Sequence, residues 1–227
     1  MPYAGVDMKR LLQVATVVFV LAAMAGAAHA QFRMRAPSLT GVWNPQVGSG
    51  AYYETQEKDG TKRTMGMAIV GKESADGKEG YWLEVWFSRS SNNGETVMKW
   101  LFVRDGDVLT LEHAVMQMPG RPPMEVPDMM LQRMSSEPQK ADISKTSDDL
   151  GSDTVTTPAG TFTCEHYKQK DGSGEFWIKK DIGPFGLVKG IDKDGTVTVL
   201  TKVVTDAKDK ITGTPQPMGM GGPPHQP

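Results

Sequence analysis

Residues 81–118 read YWLEVWFSRSSNNGETVMKWLFVRDGDVLTLEHAVMQM, and this stretch decides the fold. Two Asx-Gly pairs, Asn93-Gly94 and Asp105-Gly106, cut it into short runs rich in Val, Leu, Trp and Phe. Asx-Gly tolerates the positive φ that tight hairpin turns require, so the runs read as consecutive antiparallel strands. Alternation separates Tyr81, Leu83, Val85 and Phe87 from Trp82, Glu84 and Trp86. It likewise separates Met98, Trp100 and Phe102 from Val97, Leu101 and Val103. A sheet with one wet face alternates apolar with polar residues. Here both faces carry large apolar groups, so both are predicted to be covered, by a second layer, a helix, a partner or a bound apolar ligand.

The same punctuation continues outward. Asp59-Gly60, Asp76-Gly77, Asp171-Gly172 and Asp194-Gly195 mark further hairpins. Between them lie β-rich runs at Ser49–Lys58, Arg63–Gly71 and Val108–Met118, then at Asp153–Thr157, Thr161–Lys170, Glu175–Lys180, Gly186–Ile191 and Thr196–Thr205. Beyond the first thirty residues, no stretch keeps helical apolar spacing over four turns. The prediction is an all-β domain over 49–212, a curved antiparallel meander or half-barrel of about ten strands with a short helix or loop as lid. Residues 31–48 read as a lead-in. Residues 213–227, GTPQPMGMGGPPHQP, read as a flexible tail.

The meander is interrupted at 119–151, a segment rich in Met and Pro. Asp128 is the expected N-cap of a short helix over Met129–Ser135, and the polar remainder reads as a long loop. Loops of that length inside a domain are usually lids, binding loops or disordered. Met116, Met118, Met124, Met129, Met130 and Met134 crowd this region. Thioethers are adaptable apolar filler, and they are also soft ligands that select Cu(I).

The first thirty residues read as an address. Lys9 and Arg10 precede an apolar run, Leu11–Ala25, and Ala28-His29-Ala30 has the small-x-small form of a cleavage site. The run, about 15 residues, falls short of the roughly 20 that cross a bilayer. It is therefore read as a secretory signal cleaved after Ala30, which makes the protein periplasmic or secreted. A lipoprotein needs a Cys at the cleavage site, and the only Cys is Cys164. One Cys also excludes a disulfide framework within the chain. A formal net charge of −2 over 227 residues supplies no electrostatic footprint for nucleic acid.

Catalytic motifs do not present themselves: there is no G-x-S-x-G elbow, H-E-x-x-H, P-loop or G-x-G-x-x-G. His113 and His166 each follow a glutamate within a strand, where neighbours point to opposite faces, so neither Glu112 nor Glu165 orients its own histidine. Cys164 shares a strand face with Phe162 and His166 and reads as a core residue. A metal pair with His166, a thiol nucleophile and an intermolecular disulfide are its alternatives. Asp192-Lys193-Asp194-Gly195 begins like a calcium loop but lacks the closing glutamate; it reads as a hairpin turn.

One segment carries a resemblance. Thr157-Pro158-Ala159-Gly160-Thr161-Phe162-Thr163-Cys164-Glu165-His166-Tyr167, followed by Trp177-Ile178 and Gly186-Leu187-Val188-Lys189, resembles exported bacterial proteins with a TPAGTF-x-C-x-H-Y…W-I…G-L-V-K pattern. These are distantly similar to the LolA/LolB superfamily of lipoprotein-localisation factors. The resemblance implies a curved half-barrel whose concave face binds acyl chains or a lipidated partner; no site residue transfers with it. The expectation is an exported, non-enzymatic binding protein for an apolar ligand, a lipid or a lipidated protein. Trp82, Trp86, Trp100 and Phe102 are its candidate wall, and Met124, Met129, Met130 and Met134 its candidate lid. That reading expects a continuous cavity of several hundred Å³. The alternatives are a periplasmic Cu(I) protein using Met116, Met118, Met129, Met130 and Met134, and a structural or interaction domain of the envelope. No cofactor, no nucleic acid and no integral membrane segment after signal cleavage are expected.

Overall fold

The computed structural model describes residues 40–75, 77–88, 94–134 and 139–218. The signal segment 1–30, most of the lead-in, Ser135 at the expected helix end and the last nine residues of the tail lie outside the described residues. Thirteen strands form one curved, unclosed sheet. The ten longer ones are β1 (Gly50–Gln56), β2 (Lys62–Ala75), β3 (Lys78–Ser88), β4 (Glu95–Asp105), β5 (Val108–Gln117), β8 (Ser147–Thr157), β9 (Gly160–Gln169), β10 (Gly174–Ile178), β11 (Leu187–Asp192) and β12 (Val197–Val204). Two-residue strands β6 (Met124–Glu125), β7 (Gln139–Lys140) and β13 (Gln216–Pro217), helix α1 (Asp128–Met134) and a 3-10 turn (Ile143–Thr146) are the other elements among the described residues. The spatial order is β13-β6-β5-β4-β3-β2-β1-β12-β11-β10-β9-β8, with β7 beside β5.

Two meanders, β1–β6 and β8–β12, are thus fused where the first long strand pairs with the last, Gly50 opposite Val204 through Gln56 opposite Val197. The glycines of the expected hairpin turns adopt positive φ, among them Gly60, Gly106, Gly172 and Gly195. β8 starts at Ser147, six residues before the expected Asp153. It is the terminal strand of the sheet and its first half is exposed, so no apolar alternation marks Asp148–Ser152 as strand.

Register sorts the two faces of β3 and β4. Tyr81 lies opposite Phe102, Leu83 opposite Trp100 and Val85 opposite Met98. These residues, with Tyr53, Met67, Ile69, Ala114 and Met116 on the flanking strands, build the inner core; Leu83, Val85 and Trp100 are wholly buried. On the outer side Trp82 lies opposite Leu101, Glu84 opposite Lys99 and Trp86 opposite Val97. Both faces are covered, as their composition demands, and chain segments do the covering.

The inner side is capped by the lead-in. Trp43, 4% exposed, packs its ring 6.1 Å from Phe102, 6.4 Å from Tyr81 and 5.0 Å from Phe185. Its amide donates to the Ala141 carbonyl at 2.7 Å, while Val42 N–H donates to Phe185 O at 2.8 Å and Gly48 N–H to Ile69 O at 2.7 Å. Trp43 therefore belongs to the core, and the described part of the lead-in is anchored to the sheet by backbone bonds, while Val47 stays exposed. α1 adds Leu131 and Met134 to the buried set.

The outer side is capped by the chain after β12. Ala68, Trp86, Val97 and Val115 pack with Ile211, and Tyr52 and Ala207 sit at the margin. Gly66 is required here because the Trp86 indole lies across it: a Cβ would come within 2.2 Å of the ring. The first residues of the expected tail make contacts of their own: β13 pairs in parallel with β6, and Gln216 N–H donates to Pro123 O at 2.9 Å.

Trp43→Ala removes a ring packed against two strands and the loop that carries Phe185. It is expected to cost about 3–5 kcal/mol of unfolding free energy, measured by urea denaturation followed by far-UV circular dichroism.

Candidate functional site

The fusion of the two meanders places β2 and β1 beside β12, β11 and β10, and a cavity of about 170 Å³ opens among them. Its walls are Met65 and Met67 from β2, Tyr53 from β1, Phe176 from β10, Leu187 from β11 and Phe185 from the preceding loop. Thr40, Gly190, Asp192 and Thr198 complete the lining. Gly190 matters for its missing side chain: a Cβ there would press on the Phe176 ring at 3.1 Å, so glycine lets that ring lie across β11.

The polar groups of the lining are mostly spoken for. Tyr53 is 1% exposed; burial pushes its phenol pKa upward, and the hydroxyl donates to the Leu187 carbonyl at 3.2 Å. Thr198 shares a 3.0 Å hydroxyl contact with Thr55. Asp192 is the one ionisable carboxyl in the lining. Desolvation raises its pKa, and the charge of Asp194 adds to the shift. The cavity is thus apolar with a single acidic group at one side. Its size is comparable to cavities of about 150 Å³ that admit benzene, and below the several hundred Å³ expected for a whole acyl chain.

The structure distributes the sequence-predicted wall differently. Trp100 and Phe102 face the inner core, whereas Trp82 and Trp86 face outward, so the four do not line one space. Trp82 donates its indole N–H to Glu73 at 3.0 Å and carries Lys99 Nζ 5.1 Å above its ring. Trp86 packs edge-on to Tyr52 at 5.3 Å, under Lys210 Nζ at 4.8 Å. None of the four lines the cavity, and neither do Met124, Met129, Met130 or Met134.

The methionines of the lid segment are also split. Met129 and Met130 are exposed on α1, Met118 is exposed just after β5, and Met116 and Met134 are buried. Register instead puts Met98, Met116 and Met124 opposite one another on β4, β5 and β6. The cavity methionines escaped notice in the sequence although Met65-Gly66-Met67 has the alternation that places two thioethers on one strand face.

His166 stacks on Trp177 at 4.2 Å and 13°, with Nε2 3.4 Å from a Glu175 oxygen on the next strand. Glu165 turns the other way, accepting from Tyr167 OH at 2.7 Å and from Lys180 at 2.9 Å. The Asp192–Gly195 segment is a turn, closed by Gly195 N–H on Asp192 O at 2.8 Å. Cys164 is buried, its thiol pKa raised chiefly by desolvation. Among the described residues, no group of three or more His, Cys, Asp or Glu is placed to hold a metal ion, and no helix is long and apolar enough to cross a membrane.

No family model matches the chain, and no curated protein matches it. Among solved structures, it is similar to a protein from Bacteroides fragilis NCTC 9343 described as exported with a YmcC-like fold, at 16% identity and a TM-score of 0.36, over 72% of this chain and 99% of that one. It is also similar to a protein from Parabacteroides distasonis ATCC 8503 described as a lipoprotein, at 12% identity and a TM-score of 0.36, over 74% of this chain and all of the other.

Burial and the raised pKa make Cys164 a poor nucleophile. Maleimide labelling of the native protein at neutral pH is expected to run about a hundredfold slower than in denaturant, read by intact mass.

Proposed function

We propose that this chain is an exported, non-enzymatic binding protein that takes one end of an apolar chain into the cavity between β2 and β10–β12. The observation that carries this reading is the lining itself: Met65, Met67, Phe176, Phe185 and Leu187 surround a space of about 170 Å³. Export rests on the signal-like sequence of residues 1–30. The cavity has room for a chain end or a small ring and not for a complete acyl chain. The occupant is therefore the tip of a lipid or of a lipidated partner, with the remainder outside. Each methylene removed from water contributes about 0.8 kcal/mol, so a short tip gives weak, reversible binding suited to hand-over. The distant resemblance to LolA/LolB-type lipoprotein-localisation factors points the same way.

A second reading is a soft-metal site. Met116 is buried between Met98 and Met124 on neighbouring strands, which gathers three thioethers of the type that selects Cu(I). This set differs from the one expected from the sequence, of which it keeps only Met116.

Native mass spectrometry of the exported protein, before and after addition of medium-chain fatty acid, phospholipid or Cu(I), separates these readings. The expected result is an acyl mass retained or acquired, weakened roughly tenfold or more by Met65→Trp, which fills the cavity. A bare polypeptide mass under all conditions contradicts both.

A further inference from the structure

Glu84 is a carboxylic acid at the centre of a sheet face, on a middle strand, with no exposed surface at all. Its neighbours along the sheet are Ala68 on β2 and Lys99 on β4. Above it runs the chain that follows β12. The amides of Lys210 and Ile211 donate to its carboxylate oxygens at 3.0 and 3.2 Å, and Asp209 is hydrogen-bonded to it. Around this contact Lys99 pairs with Asp209, and Lys210 pairs with Glu95 at 2.7 Å. Ile211 closes over Trp86, Val97 and Val115. Farther along, β13 holds the segment to β6 through only two residues.

We propose that residues 205–218 form a pH-gated strap, held down by protonated Glu84 and released when that carboxyl ionises, uncovering the apolar surface of Ala68, Trp86, Val97 and Val115. The geometry makes Glu84 and Asp209 a carboxyl–carboxylate pair sharing one proton. Burial works against ionisation of Asp209, but the hydrogen bond from Glu84 and the Lys99 ammonium outweigh it and hold its pKa low. The proton therefore resides on Glu84. Burial first, then the hydrogen bond to Asp209, raise the Glu84 pKa from 4.5 to about 7, against the opposing pull of the Lys210 and Ile211 amides. With the strap lifted, Glu84 meets water and returns toward its ordinary value. Between that value and about 7 the lifted form binds fewer protons than the closed form, so every rise in pH favours lifting. Above that window the effect is complete.

The charged groups facing Glu84 are thus Lys99 from β4 and Asp209 and Lys210 from the strap, while β2 presents only Ala68. His113 on β5 lies opposite Leu101, in the next row of the same face, and is exposed. A variant at Glu84 isolates the contribution of that carboxyl.

The test is amide hydrogen exchange by NMR from pH 5 to pH 8, expressed as protection factors so that base catalysis is removed. Lys210 and Ile211 are expected to lose roughly a hundredfold in protection across this range, while Leu83 and Val85 in β3 stay level. Glu84→Gln keeps the shape and the neutral state, so its strap is expected to stay protected at every pH. Asp209→Asn removes the carboxylate partner and is expected to shrink the fall. Protection that does not change with pH, or a fall that persists undiminished in both variants, overturns the proposal.

Discussion

Two adjacent strands that are apolar on both sides set the terms for everything else in this molecule. β3 and β4 place Tyr81, Leu83, Val85, Trp100 and Phe102 on one face and Trp82, Trp86, Val97 and Leu101 on the other. Each large side chain left in water would forfeit about 1.5–3 kcal/mol, so a single-layer sheet is not stable unless both faces are roofed. The chain solves this with the segments that flank the two meanders. The lead-in at Trp43 roofs the inner face, and the segment after β12 roofs the outer one. Both segments are short, and both are fastened by backbone hydrogen bonds.

The cavity follows from the same economy. Because β1 pairs with β12, the two meanders continue as one curved surface, and the cavity lies at their seam. Phe185 belongs to both systems, touching Trp43 at 5.0 Å and lining the cavity. A ligand entering there would press on a residue that anchors the inner roof. The outer roof is held differently: besides packing Ile211 on Trp86, it is fastened by backbone amides of Lys210 and Ile211 to the buried Glu84 carboxyl.

Much of the fold was legible in the sequence. Asx-Gly pairs located the hairpins because only residues that accept positive φ serve there, and alternation in Tyr81–Phe87 announced the double covering before any partner was visible. Asp128 and the methionines after it gave α1. What escaped depends on pairing over distance. The parity within β3 and β4 was readable, but which face of β3 joins which face of β4 is set by register, and that divided the four aromatic residues expected to form one wall. The start of β8 carries no apolar pattern because it is a terminal strand. Trp43 did not stand out within the lead-in, since nothing nearby in sequence packs on it. The cavity was not legible for the same reason: Met65, Phe176 and Leu187 meet only through the β1–β12 seam.

If the double roofing of β3 and β4 organises the fold, the slowest amides to exchange should lie in the strands beneath both roofs. Native-state hydrogen exchange resolved by residue measures this directly at a single pH. β3, β4 and the adjoining part of β2 are predicted to exchange only by global unfolding, while β8 at the end of the sheet opens locally and far more readily. Slowest exchange in β8 and β9, with β3 and β4 opening locally, would contradict it.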